Sequence, residues 1–471
     1  LISNLISNLI YMYSESDIEI IKKNLSKIED EAEKEFVNKY KKQNIKEISE
    51  TYEIIKRFII KKKRIVYGGY AQNELILKKN KSEGFYRQHD LADIEFYTYE
   101  PLKDIMELCD NILKLGYKRV QGKEGVHEGT YKLFIDFHNY CDIAYMPKNI
   151  YNKCPIININ KLRLTHPHFM VIDAFRVYTD LMTSNFRLTK TFNRFNKLIN
   201  YYPFDTDYKY NKIRYKLTRG LKIKELDKIQ DYIRKNIIHN SKLIVVGHYA
   251  FNYYVKKVKK VKYEIKDYPY YQLITDNYEE DVKKIYRQLK SKYGDKISIK
   301  EYYPFYQFFD KRIQFYYGKQ VIIKLYGNNE RCVPFRRSDK KLTLFGTFQT
   351  TIMYLLIDYN YAIIKNYSEE KSNYMSMIVK LFECRKLYLE DVKKTVIEES
   401  PFQEFTLECI GEPVEQLRKS MLKGLEKIKK GKSVKFTYNP KNGVKGKVPN
   451  FRFDNLSGNK ILNDKSLTKL E

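Results

Sequence analysis

The chain has 471 residues, with 88 Lys and Arg against 58 Asp and Glu and a formal net charge of +30. That length exceeds one hydrophobic core and suggests about two to four folding units, while the charge attracts polyanions and predicts salt-sensitive binding, nucleic acid first. Membrane headgroups are the competing polyanion, but no apolar run approaches the roughly 20 residues of a membrane span. The best, TIMYLLIDYNYAII, is broken by Asp358, so a soluble protein with no membrane partner is expected.

The opening LISNLISNLIYMY has neither a basic leader nor a small-residue cleavage site, so it is not read as a secretory signal, and its repeat reads as a non-functional extension. Residues 15 to 63 are charged, poor in Gly and Pro, and carry apolar residues at helical spacing, which predicts long amphipathic helices. From Arg64 the pattern changes to a short strand IVY, a glycine pair, a helix, a polar loop and the alternating stretch ADIEFYTYE. A helix near 101 to 115 follows, then a hairpin made of YKLFIDFH and CDIAYMP, then the helix HFMVIDAFRVYTDLMTS.

The same order recurs downstream in KLIVVGHYAFNYYV, YYQLITDNYEEDVKKIYRQL, IQFYYGKQVIIKLYG and LTLFGTFQTTIMYLLIDYNY. A tandem duplication is therefore expected in an α+β chain. It divides into an N-terminal helical segment (1–60), copy one (61–185), a helical linker (186–240), copy two (241–365), C-terminal helices (366–430) and a tail (431–471). The tail is basic and rich in Gly and Asn, and it reads as disordered or extended on a partner, RNA being the candidate. Cys109, Cys141, Cys154, Cys332, Cys384 and Cys409 contain no C-x-x-C pair. They argue against zinc and against a disulfide framework, and are expected to be reduced core residues.

The chemistry concentrates in copy one. Asp93 and Glu95 stand two apart on a predicted strand, so both carboxylates leave the same face. Such a pair repels itself unless a cation neutralises it, and hard oxygens suit Mg²⁺ or Mn²⁺. Asp142 lies on a strand that the hairpin can bring alongside, giving a third carboxylate for a two-metal site of phosphoryl-type transfer. Gly68 and Gly69, where a strand feeds a helix, would let backbone N–H groups approach a triphosphate. Asn73 of the same motif joins the candidate nucleotide-binding set. Arg187 and Lys190 belong to it too, in a helical row of cations with Arg194 and Lys197, for which a solvated basic face is the alternative. Asp90 is read as a cap or a solvent-facing loop residue, and His166 and His168 as structural. GKS at 431–433 is a fragment of a phosphate loop that lacks its first glycine, Glu426 standing there.

Each piece alone has a bland reading, a tight turn or a solvated strand edge; their order is what is specific. Copy two keeps the framework and drops the chemistry. Gly69 corresponds to His248, while the positions of Asp93 and Glu95 fall near Gln272 and Ile274 and that of Asp142 near Ile322. Losing all four together marks them as one functional unit.

The order strand, GG, helix, D-x-E, later Asp resembles the nucleotidyltransferase superfamily. VYGGYAQN, DLADIEFYT, HEGTYKLFIDFHNYCDIAYMPKNIY and the degenerate second copy resemble, more closely, the poly(A) polymerase catalytic subunits of large DNA viruses, the mimivirus-like kind above all and the poxvirus kind beside it. The likeness covers nearly the whole chain. It departs from the general pattern in the long gap from Gly69 to Asp93 and in Glu95 where Asp is commoner. It implies two tandem nucleotidyltransferase-like domains, the second degenerate, with Asp93, Glu95 and Asp142 as metal-binding catalytic acids, Asp142 nearest the attacking hydroxyl, and Gly68 and Gly69 as the nucleotide turn. It further implies template-independent transfer of AMP from ATP to an RNA 3′ end, a homodimer, and a place in the virion or the host cytoplasm. The residues themselves leave open a uridylyl or CCA-adding enzyme and a non-catalytic RNA-binding scaffold.

Overall fold

The fold is described from a computed structural model over residues 14–86, 92–125, 129–204, 222–261, 265, 268–302, 311–328, 331–340, 342–432, 435–449, 451 and 460–462. The opening repeat, Asp90 and Ser433 of GKS lie outside the described residues. The N-terminal segment is one long helix, α1 (Glu15–Lys62), where several were expected. Its start is fixed by a capping box between Ser14 and Asp17 and its end by Lys63 in a left-handed conformation. Its last turns bury Ile55, Phe58 and Ile59.

Then come β1 (Ile65–Tyr67), α2 (Gly68–Lys79), β2 (Ile94–Thr98), α3 (Pro101–Lys114), β3 (Val120–Glu124), β4 (Thr130–Ile135), β5 (His138–Tyr145), α4 (Lys148–Tyr151), β6 (Ile156–Ile159), β7 (Leu162–Thr165), α5 (Pro167–Tyr178), α6 (Leu181–Ser184) and α7 (Leu188–Tyr201). α8 (Ile223–Ile233) leads to the second copy, which runs β8 (Ile244–Val246), α9 (Gly247–Lys256), β9 (Tyr271–Thr275), α10 (Tyr278–Tyr293), β10 (Ile297–Tyr302), β11 (Arg312–Tyr317), β12 (Gln320–Gly327), β13 (Val333–Arg337), β14 (Leu344–Gly346) and α11 (Phe348–Lys365). The chain continues through α12 (Ser368–Val392), β15 (Cys409–Ile410), α13 (Pro413–Lys429), β16 (Thr437–Asn439), β17 (Gly443–Lys445) and β18 (Lys460–Leu462).

Two mixed sheets result, with the orders β17-β16-β3-β4-β5-β2-β1-β7-β6 and β15-β13-β14-β8-β9-β12-β11-β10-β18. They repeat one topology: β1 and β8 each pair antiparallel to the next strand, which in turn lies parallel to the second strand of a hairpin. α5 and α11 carry the cores of the two copies into contact, the Thr179 hydroxyl reaching the Met353 sulfur at 3.6 Å and the Asn360 amide donating to the His168 carbonyl at 3.2 Å. No described helix is long and apolar enough to cross a membrane.

Two expectations are corrected. The tail is not disordered where it is described: β16 and β17 extend the first sheet beyond β3, and β18 pairs with β10 of the second. Its alternation puts Phe436 against Tyr131 while Tyr438 donates to Asp110 at 2.7 Å, so a sequence that is basic overall still has an apolar face to bury. Cys332 and Cys409 form a disulfide across β13 and β15, with Cα atoms 5.3 Å apart; antiparallel pairing of Val333 with Ile410 brings together thiols that are 77 residues apart in sequence. The other four cysteines are free and buried.

Candidate active site

The glycine turn is built by geometry that only glycine accepts. Gly68 has φ +67°, and a Cβ there would lie 1.6 Å from the Glu95 carboxylate. Backbone and side chain are locked together: Tyr67 is in register with Glu95, and the Gly69 N–H donates to Glu95 Oε2 at 3.0 Å. At Gly69 a Cβ would fall 2.3 Å from the Tyr86 hydroxyl and 2.7 Å from Arg194 Nη1. The second glycine thus makes room for a tyrosine and a guanidinium, which bond each other.

Glu95 and Asp142 are direct register partners on the parallel strands β2 and β5, and Asp93 stands at the mouth of β2. The hairpin does place the third acid beside the first two. Their proximity is felt electrostatically. Burial pushes the Glu95 carboxyl up to about 7, against the pull of the Gly69 N–H, and Asp142 and Asp93 push the same way. Desolvation and then Asp142 also raise Asp93, opposed by Lys132 and Lys190. Asp142 accepts from Lys132 Nζ at 2.7 and 2.9 Å and from the Asn139 amide at 2.9 Å.

With Glu95 turned to the glycine turn and Asp142 to Lys132, no group of three or more acidic, His or Cys side chains among the described residues is gathered as a ready-made metal cage. The donor set nevertheless suits a hard divalent cation: three carboxylates from two adjacent parallel strands, with Asp93 and Glu95 both penalised by burial and by the nearby acid until a cation arrives. Asp93, Glu95 and Asp142 are the residues that could hold it.

The remaining candidates separate. Lys190 lies within electrostatic reach of Asp93. Arg194, of the same helix, stacks over Phe85 and Tyr86 with its guanidinium 4.4 and 5.2 Å from their ring centres, beside Gly69. Arg187 stays on an exposed turn over Phe186, and Lys197 pairs with Glu83. Asn73 is buried and accepts from the N–H groups of Phe85 and Tyr86 at 2.9 and 3.3 Å, which makes it a brace for the loop that carries Tyr86. His166 caps α5 and His168 bonds the carbonyls of Tyr202 and Pro203, both held below the usual imidazole range by burial. The GK of GKS follows the end of α13, where no strand could feed a phosphate loop.

Lys132 and Tyr86 escaped the sequence reading. The signal for Lys132 was the alternation of YKLFIDFH, which puts it on the polar face opposite Asp142 once the hairpin register is known. Tyr86 sits in a polar loop with no periodicity to mark it.

Copy two corrects the internal alignment by two residues. Its Gly247 has φ +66°, and a Cβ there would lie 2.0 Å from Gln272 Oε1, so Gln272 takes the place of Glu95. By the same register Tyr270 replaces Asp93, and Lys324, the partner of Gln272, replaces Asp142. A slip of two preserves the in-and-out alternation of a strand, which is why sequence pattern could not detect it.

Comparison with known proteins gives one family throughout. A family model described as "Poly(A) polymerase catalytic subunit" matches residues 53–184, and one described as "APMV, Putative poly(A) polymerase, catalytic subunit, C-terminal" matches residues 205–470. A protein of Acanthamoeba polyphaga mimivirus named "Putative poly(A) polymerase catalytic subunit" is 31% identical over 97% of this chain and 84% of its own length. A like-named protein of African swine fever virus is 29% identical over 34% of each chain. The crystal structure of the Megavirus polyadenylate synthase superposes with a TM-score of 0.83 at 32% identity, covering 92% of this chain and 88% of that one.

Proposed function

Since the chain belongs to the family of poly(A) polymerase catalytic subunits of large DNA viruses, which are nucleotidyltransferases, we propose that it transfers AMP from ATP to an RNA 3′ end without a template, at the carboxylates of copy one and with two divalent cations. The observation that carries this is the direct pairing of Glu95 with Asp142 on adjacent strands, with Asp93 two residues before Glu95, beside a glycine turn flanked by Arg194.

Asp93, Glu95 and Asp142 would hold Mg²⁺ or Mn²⁺, whose chemistry when bound is to acidify the 3′ hydroxyl and to neutralise charge on the departing pyrophosphate. Asp142 is the acid that would orient the attacking hydroxyl toward the α-phosphate. Arg194, pinned by Phe85 and Tyr86, binds the triphosphate beside the Gly68–Gly69 turn, whose Gly69 N–H holds Glu95 in place. Lys190 holds down the negative charge around Asp93. Asn73 keeps Tyr86 and Arg194 in place.

The chain pairs with a second copy of itself; the apolar residues Val414, Met421, Leu422, Leu425 and Ile428 exposed on α13 support such an interface. Sedimentation that finds only monomer removes it. The reaction is tested by extension of a labelled RNA primer with each of the four NTPs separately, in Mg²⁺ or Mn²⁺, beside Asp93→Ala. Long tails with ATP alone, absent in the variant, are expected. Tails with another nucleotide would keep the mechanism and change the substrate, and no extension with any NTP would sink the proposal.

A further inference from the structure

The first sheet carries its acids on one face, and that face continues past them over strands that no described helix covers. α3 packs on the opposite face, where Gly122 meets Ile105 and Cys109, and Tyr438 reaches Asp110. The pairing register identifies what lies in line with the acids. From Glu95 the row passes to Asp142, then to Lys132 on β4, Lys123 on β3, Thr437 on β16 and Lys445 on β17. Because directly paired residues share a face, these side chains project to the same side. Lys123 and Lys445 are exposed, and Lys123 sits 5.5 Å over the ring of Phe134, which projects from the same face as Lys132. The last two strands come from the tail, so the row reaches Lys445 only because the C-terminus folds back onto β3.

We propose that this face is the track for the single-stranded RNA substrate, its phosphates on Lys445, Lys123 and Lys132 and a base against Phe134, with the 3′ end delivered to Asp142. This rests on the polymerase reading above and adds the path of the strand. Four strand spacings separate β17 from β5, about 19 Å of basic surface. A repeating polyanion fits it better than a compact anion does, since the cations are spread in a line while the aromatic ring offers a face to any base. Lys132 is the hinge of the arrangement: it pairs with Asp142 and continues the lysine row, joining the RNA path to the reacting end.

The test uses the full-length protein and a short fluorescein-labelled oligoadenylate, without ATP. Anisotropy is titrated across a range of salt for the wild type, for the double variant Lys123→Ala with Lys445→Ala, and for the double variant Lys123→Arg with Lys445→Arg. The alanine pair is expected to bind about three- to tenfold more weakly, with a log–log salt slope shallower by about 1.4. The arginine pair should restore both. In primer extension the KM for RNA should rise by the same factor while the KM for ATP stays put. Unchanged affinity and slope in the alanine pair would overturn the track. Wild type that shows the lysine-dependent slope but adds no AMP would sink the polymerase reading alone, whereas wild type that adds AMP with an unaltered slope in the variant would sink this inference alone.

Discussion

The two copies share a turn, a sheet order and a helix frame, and differ in what fills the space beside the turn. In copy one Gly69 leaves room for Tyr86 and Arg194, and the adjacent strands carry Asp93, Glu95 and Asp142. In copy two His248 is buried against Tyr270 and Tyr374, the Lys324 ammonium lies 3.9 Å over the Tyr270 ring, and Gln272 donates to Asp358 at 2.6 Å and to Tyr326 at 3.0 Å. Burial and Lys324 push His248 down to about 3, so it is neutral at physiological pH. Three repelling carboxylates have become an amide that donates to Asp358 and Tyr326 and an ammonium that lies over an aromatic ring. The same backbone is thus charged and open in one copy and filled in the other, so the turn itself is structural and the chemistry belongs to a handful of side chains.

The sharpest way to break this comparison is to give copy one the residue of copy two. Glu95→Gln should keep the contact with Gly68 and lower AMP addition by about 10³-fold or more, the scale of several kcal/mol of lost charge stabilisation. Substantial tailing by this variant would show that the turn's partner need not be charged. The same variant tests a pH effect. The folded-state carboxyl titrates near 7 against an ordinary 4.5; a raised pKa in the folded state gives stability that is present below about 4.5 and is lost as pH rises through about 7. Without divalent cations the Tm should therefore fall between pH 5 and 8, and Glu95→Gln should flatten that fall, by at most about 3 kcal/mol.

Exchange at the second glycine comes next. Gly69→His should displace Tyr86 and Arg194 and weaken ATP binding tenfold or more, about 1.4 kcal/mol for one lost charged contact, read by titration of a fluorescent ATP analogue. The reverse change, His248→Gly, should leave nucleotide binding alone but cost about 2–4 kcal/mol by opening a cavity, read by denaturant unfolding. ATP binding that survives Gly69→His would separate Arg194 from the phosphates. In copy two reduction of Cys332–Cys409 should lower stability by up to about 4 kcal/mol from the long loop it closes, as a drop in Tm that Cys332→Ser reproduces; an unmoved Tm would mean that the pairing of β13 with β15 holds without it. Smallest is Tyr270→Phe, which removes the 2.9 Å bond to Tyr374 and should cost about 1 kcal/mol without changing primer extension.

The sequence by itself determined the duplication, the strand–turn–helix order and the set of acids. These signals are local: periodicity marks helices and strands, positive φ calls for glycine, and D-x-E on a strand puts two carboxylates on one face. It also gave the family, because the motifs stand in their order along nearly the whole chain. Tertiary structure alone decided the register, which moved the copy-two equivalents by two residues to Tyr270, Gln272 and Lys324 and put Lys132 on Asp142. It paired Cys332 with Cys409, turned Asn73 from a ligand candidate into a loop brace, and gave the basic tail to the two sheet edges. Each of these depends on which distant strand lies alongside, and pairing partners are chosen by burial and backbone hydrogen bonding over the whole fold rather than by any short stretch of chain.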